Sequence, residues 1–326
     1  MGPFYLIVSL ISTAILFTLL YKSFSKPNIS ENEEETRNVK PLNTDRNPTK
    51  KALLVGINKY RPDLNADLRG CVNDVENMRT LLIMKFGFDP ENIRVIIDDR
   101  ATRRAIIDRL KWLINGAVAG DELVFHYSGH GSQVRDRNGD ELNDHLDEIL
   151  CPYDLDWSNP LTDDILAGLF RKLPKGVFLT MICDSCHSGT MTRGGRIGNP
   201  HGEMARFIRP PYDIRSRSLD RELPKRKMGI KERRNKKGGK PDTDQNHVLV
   251  SGCRDDQTSA DAFINNKYQG AMTWALTKAI KENPGITWQA AHAEAAKTLK
   301  AGRYTQEPQL SGNDDLTCRV TFGGND

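Results

Sequence analysis

The chain has 326 residues, 28% of them charged and 38% hydrophobic, with a formal net charge of +4. That balance excludes a disordered chain and a protein with many membrane spans, and the length supports one large domain or two small ones. The six cysteines (71, 151, 183, 186, 253 and 318) are too few and scattered for a disulfide framework, which favours a reducing compartment.

At the N-terminus, Phe4 to Tyr21 is an uncharged run of 18 residues. As a helix it would extend about 27 Å, close to the hydrocarbon thickness of a bilayer. No basic region precedes it and no A-x-A site follows. A retained single-pass anchor over residues 1–24 is therefore expected rather than a cleaved signal. Lys22 and Lys26 follow it, which favours a cytoplasmic C-terminal domain. Residues 25–49 lack apolar periodicity and read as a flexible linker.

From residue 50 onward, apolar runs alternate with amphipathic ones. Strands are expected over 52–57 (ALLVGI), 93–97 (IRVII), 122–129 (ELVFHYSG), 176–183 (GVFLTMIC), 247–253 (HVLVSGC) and 318–322 (CRVTF). Helices are expected after the first strand, with Val72, Val75, Met78, Leu81 and Leu82 on one side, and over 101–114, 163–173, 270–281 and 287–301. Such alternation implies a three-layer α/β fold with a mostly parallel sheet covered on both faces. Residues 190–246 interrupt it with 16 Lys/Arg against 7 Asp/Glu, a local +9 that leaves about −5 elsewhere. This basic insertion reads as a solvated excursion, and its tract 224–240 could touch an anionic surface.

Ligands of such sheets bind beyond the carboxyl ends of the strands. Two strands end there in reactive sequence: HYSGHG (126–131) and ICDSCHSG (182–189). The second has two incompatible readings. As C-x-x-C-H (Cys183, Cys186, His187) it has haem-attachment spacing; otherwise it presents Cys186 as a single thiolate. A cysteine nucleophile needs an imidazole and two donors for the oxyanion. His130, Cys186 and the N–H groups of Gly131 and Cys186 supply those parts if the two strands are neighbours.

HYSGHG followed by DSCHSG resembles the metacaspases and their bacterial relatives, within the caspase-haemoglobinase (peptidase C14) superfamily. ALLVGINKY, LRGCVNDVENM, DEILCPYD, VSGCRDDQTSADA and EPQLSG resemble further blocks of that family in the expected order, over 51–326 apart from the insertion. The nucleophile motif is not the Q-A-C-[RQG]-G of true caspases. The resemblance implies a caspase-like peptidase domain over 50–326 and cysteine-type cleavage of protein substrates after Arg or Lys. It also implies an S1 pocket, the pocket for the residue preceding the cut bond, lined by Cys71, Asp74, Ser128 and Asp184. Two carboxylates there suit a guanidinium or an ammonium. Haem attachment is disfavoured because Cys183 falls inside an apolar strand run and SGHG would go unexplained. Zinc is disfavoured because the three ligands cannot face one metal from a strand end.

The family also implies self-cleavage in the insertion, with Arg226, Lys227, Arg233 and Arg234 as sites. It implies a calcium-binding carboxylate cluster as well, onto which Asp147 and Asp163 map. Thr162 and Arg193, however, stand where acids are usual, which should weaken divalent binding. No organic cofactor is implied, and the chain is carried as a monomer. The rival from another class is a membrane-tethered adaptor with a degenerate protease fold.

Overall fold

The computed structural model describes residues 47–135, 146–186, 203–211, 214, 247–254 and 257–323, all within the compact unit Lys40–Asp326. The central sheet comprises β1 (Lys50–Gly56), β2 (Ile93–Ile97), β3 (Glu122–Ser128), β7 (Phe178–Asp184), β9 (His247–Ser251) and β12 (Gln309–Ser311). Its order is β12-β9-β7-β3-β1-β2. Every pairing is parallel except β12 on β9. All seven residues of β3 are buried, as befits a central strand covered on both faces, which is why its sequence reads as a continuous run rather than an alternation.

Helices α1 (Cys71–Phe86), α2 (Arg103–Ile114), α3 (Asp163–Phe170), α4 (Ala271–Glu282), α5 (Trp288–Ala301) and α6 (Asp314–Thr317) pack around this sheet. α1 buries Val75, Met78, Leu81, Leu82 and Phe86. α2 buries Ile106, Ile107, Leu110, Leu113 and Ile114. Each α2 and α3 start is fixed by a threonine whose hydroxyl accepts a backbone N–H: Thr102 from Ala105 at 3.2 Å and Thr162 from Ile165 at 3.4 Å. Two small antiparallel sheets flank this frame: β4 (Gly131–Arg135), β5 (Leu146–Leu150) and β6 (Leu161–Thr162), and β8 (Met204–Ala205), β10 (Ala260–Ile264) and β11 (Lys267–Gly270).

Three expectations need correction. The strand expected over 318–322 does not form: Val320 makes a single bridge to Thr287, and Thr321–Gly323 form a 3-10 turn. Burial of Phe322 against Phe86, Phe88 and Trp288 takes precedence over extension, and β12 forms the sheet edge instead. The insertion 190–246 is not wholly a solvated excursion. Residues 203–211 run through the interior face of the domain, where Arg206, Ile208 and Pro210 are buried. Finally, the membrane localisation is withdrawn. Among the described residues no helix is long and apolar enough to cross a membrane, and the run 4–21 lies outside them, as do 25–46 of the linker and the basic tract 224–240.

Candidate active site

Strands β3 and β7 pair in register, with Ser128 opposite Asp184, so their chemically loaded ends emerge side by side. Immediately beyond β3, His130 is held by its backbone. Its N–H donates to the Tyr60 hydroxyl at 2.8 Å, and its carbonyl accepts from the Tyr127 hydroxyl at 2.7 Å and the Cys151 N–H at 3.0 Å. Its ring Nε2 lies 2.7 Å from the Ala66 carbonyl, and its Nδ1 is buried with no hydrogen-bond partner among the described residues. A carbonyl only accepts, so Nε2 carries the proton and Nδ1 keeps a free lone pair. Burial pushes the imidazole down to about 4, against a smaller upward pull from the Ala66 carbonyl. The ring is therefore neutral at physiological pH and presents a base.

Cys186 is fully buried two residues past β7. Its Sγ accepts the Ser259 N–H at 2.5 Å and lies 3.5 Å from the Ser259 carbonyl. Cys183 sits inside β7, and burial raises its thiol to about 12. It is a core residue of the strand, in keeping with the rejection of haem spacing. His187 lies outside the described residues.

The segment 203–208 lies across these strand ends. Met204 and Ala205 add to the edge of β10, opposite Asp261 and Ala260, while Phe207 bridges to Gly131. The Ile208 N–H donates to the Gly131 carbonyl at 3.1 Å, and the Arg206 N–H to the Ser259 carbonyl at 3.0 Å. The carbonyl of Arg206 accepts the N–H of Gly131 at 3.0 Å and the N–H of Cys186 at 3.2 Å. Those are the two donors expected to hold an oxyanion.

The Arg206 side chain, fully buried, enters a pocket between β3, β7, α1 and β10. Its Nη2 donates to Asp74 Oδ2 at 2.8 Å and Asp261 Oδ1 at 3.0 Å. Its Nη1 donates to Ser128 Oγ at 2.8 Å and to the Asp184 carbonyl at 3.1 Å, and lies 3.4 Å from Asp184 Oδ2. Asp74, Ser128 and Asp184, named from the sequence, thus converge on one guanidinium. Cys71 lies beside them, its thiol raised by burial and lowered in part by the Arg206 charge. Burial pushes the Asp74 carboxyl up, and the Arg206 charge opposes that rise.

Two participants were missed. Asp261 lies in the alternating run SADAFI, where an acid at an inward position was the available signal. Arg206 lies in MARFI, a lone cation flanked by apolar residues within a tract dominated by charge.

The residues mapped to calcium fall only in part within the described residues. Asp147 and Asp163 are present, and burial together with Glu148, Asp164 and Asp147 raises the Asp163 carboxyl to about 7. Thr162 is committed to capping α3, and Arg193 lies outside the described residues. Among the described residues, no group of three or more His, Cys, Asp or Glu is arranged to hold a metal. Asp163 and Glu148 border a cavity of about 360 Å³ lined also by Leu166, Met181, Cys183 and Arg254.

Residues 50–193 match the family described as metacaspase, peptidase C14 domain. Metacaspase-1 of Meyerozyma guilliermondii is 34% identical over 84% of this chain and 72% of its own length. Metacaspase-1B of Neurospora crassa is 33% identical over 83% and 68%. Among solved structures, protein GSU0716 from Geobacter sulfurreducens superposes with a TM-score of 0.61 at 26% identity, covering 86% of this chain and all of that one. The three-layer architecture is the caspase-haemoglobinase fold. With paired strand ends carrying HYSGHG and DSCHSG on that fold, and relatives matching across most of both lengths, the chain belongs to the metacaspases, a family of cysteine peptidases.

Proposed function

We propose that the chain is a cysteine endopeptidase that cuts after Arg or Lys with a His130–Cys186 dyad, and that the bond between Arg206 and Phe207 is its first substrate. One observation carries this reading: Arg206 occupies the acidic pocket while its carbonyl accepts from both Gly131 and Cys186 N–H groups. A peptide bond about to be cut presents itself in that manner, side chain in the pocket and carbonyl oxygen on the oxyanion donors. Chain on both sides of the bond is held as well, on β10 before it and on Gly131 after it.

In the reaction, His130 Nδ1 accepts the Cys186 proton and the thiolate sulfur bonds to the Arg206 carbonyl carbon. The resulting oxyanion keeps its two N–H donors. The C–N bond to Phe207 then breaks, and the imidazolium returns the proton to the departing amine. Water, deprotonated by His130, hydrolyses the thioester and regenerates the thiol. The Ala66 carbonyl holds the ring in the tautomer that leaves Nδ1 available.

The sites Arg226, Lys227, Arg233 and Arg234 lie outside the described residues, and Arg206 replaces them as the favoured site. The test is to purify the full chain and its Cys186→Ala variant and sequence any new N-terminus. A fragment beginning at Phe207 should accumulate in the parent and be absent from the variant. Peptides ending in Arg or Lys should be cut by the parent alone, and those ending in Asp by neither. A folded parent that stays intact and cuts no peptide would favour the adaptor.

A further inference from the structure

We infer that Asp261 makes the pocket selective for arginine over lysine, a proposal that rests on the peptidase function proposed above. The guanidinium of Arg206 is read at two separate nitrogens. Nη2 is shared by the carboxylates of Asp74 and Asp261, at 2.8 and 3.0 Å. Nη1 is held by the Ser128 hydroxyl and the Asp184 carbonyl. Nε has no hydrogen-bond partner among the described residues, so recognition lies in the fork of terminal nitrogens. A lysine ends in a single nitrogen, one bond nearer its backbone. It cannot fill both branches, and whichever branch it leaves retains buried polar groups without a partner.

Of the three carboxylates, Asp184 is the most committed elsewhere. Its Oδ2 accepts from the Thr273 N–H and hydroxyl, both at 2.8 Å, and its Oδ1 accepts from the Ser259 hydroxyl. Asp261 is closer to the guanidinium than Asp184 is, and it is fixed. Its Oδ2 accepts from the Arg69 N–H at 2.8 Å and its Oδ1 from the Gly70 N–H at 2.9 Å. Both N–H groups belong to the turn entering α1, and the residue itself is buried within β10. A carboxylate pinned from two sides cannot swing inward to follow a shorter side chain. Asp261 therefore fixes the Nη2 branch of the fork at a distance matched to arginine, opposite Asp74, which the Ser128 hydroxyl and the Gly270 N–H hold in turn.

The experiment uses two peptides that differ only in Arg or Lys before the cut bond, competing in one tube. The enzymes are the full chain and its Arg206→Ala variant, the latter so that no resident arginine competes, each with and without Asp261→Asn. With Asp261 intact, the Arg peptide should be consumed about tenfold faster or more. Asp261→Asn should bring the ratio to about 1 to 2 by slowing the Arg peptide far more than the Lys peptide. Loss of stability alone would slow both equally, so an unchanged ratio would overturn the proposal, as would equal rates with Asp261 intact. If neither peptide is cut by the folded chain with Asp261 intact, the peptidase reading itself falls first.

Discussion

His130 illustrates how burial chooses a chemical role. Its ordinary value of 6.5 falls to about 4 because burial strips water from the charged ring, a loss that the smaller upward pulls of the Ala66 carbonyl and Asp261 do not offset. Between those two values the unfolded chain takes up a proton that the folded chain refuses. The contribution to stability is therefore complete above pH 6.5 and is lost as pH falls through 4. In the Cys186→Ala background, the parent should lose about 2 kcal/mol more than His130→Gln between pH 7 and pH 4.5. Urea unfolding at the two pH values measures this, and equal losses would mean the ring is not desolvated. His130 and Cys186 were both legible as candidates, because SGHG and DSCHSG supply glycine-flanked reactive groups at strand ends. The Ala66 carbonyl that sets the tautomer was not legible, since any residue supplies a carbonyl and only the chain path brings one near.

At the scale of elements, the pocket is made where β11 hands over to α4. Gly270 donates its N–H to both Asp74 carboxylate oxygens, at 2.9 and 3.0 Å. A Cβ at that position would clash with the Asp184 carboxylate and the Arg206 guanidinium. Gly270→Ala should therefore abolish cleavage after Arg206, with a loss of about a hundredfold or more, because arginine can no longer seat where its carbonyl meets the oxyanion donors. Mass spectrometry of the purified chain over time, with circular dichroism to verify the fold, checks this. Cleavage at the parental rate would show that the pocket has slack. The long strands and amphipathic helices were readable because burial imposes their periodicity. The two small sheets were not, since strands of two to five residues are specified by their pairing partners rather than by pattern.

For the whole molecule, the proposed cut divides the chain between β8 and β9 without dividing the sheet. β9 stays paired to β7 over five residue pairs, with β12 on its other edge, and α4 and α5 contribute to the core cluster that also includes α1. The fragments 1–206 and 207–326 should therefore remain associated after cleavage. They should co-elute from a sizing column under native conditions and separate in denaturant. Separation under native conditions would mean that the insertion, rather than the sheet, holds the two halves together.

The sequence by itself determined the α/β class, the order of the main strands and the identities of the candidate dyad, because each depends on local pattern or on distinctive residues at strand ends. Only the tertiary structure decided that Arg206 and Asp261 meet Asp74, Ser128 and Asp184. These five residues span α1, β3, β7, β8's end and β10, and the Arg206–Asp74 pair is separated by 132 positions. A charge in a basic tract and an acid in a short strand carry no local sign of their partner. Their pairing is fixed by register, by the glycine that leaves room and by the cost of burying either charge alone.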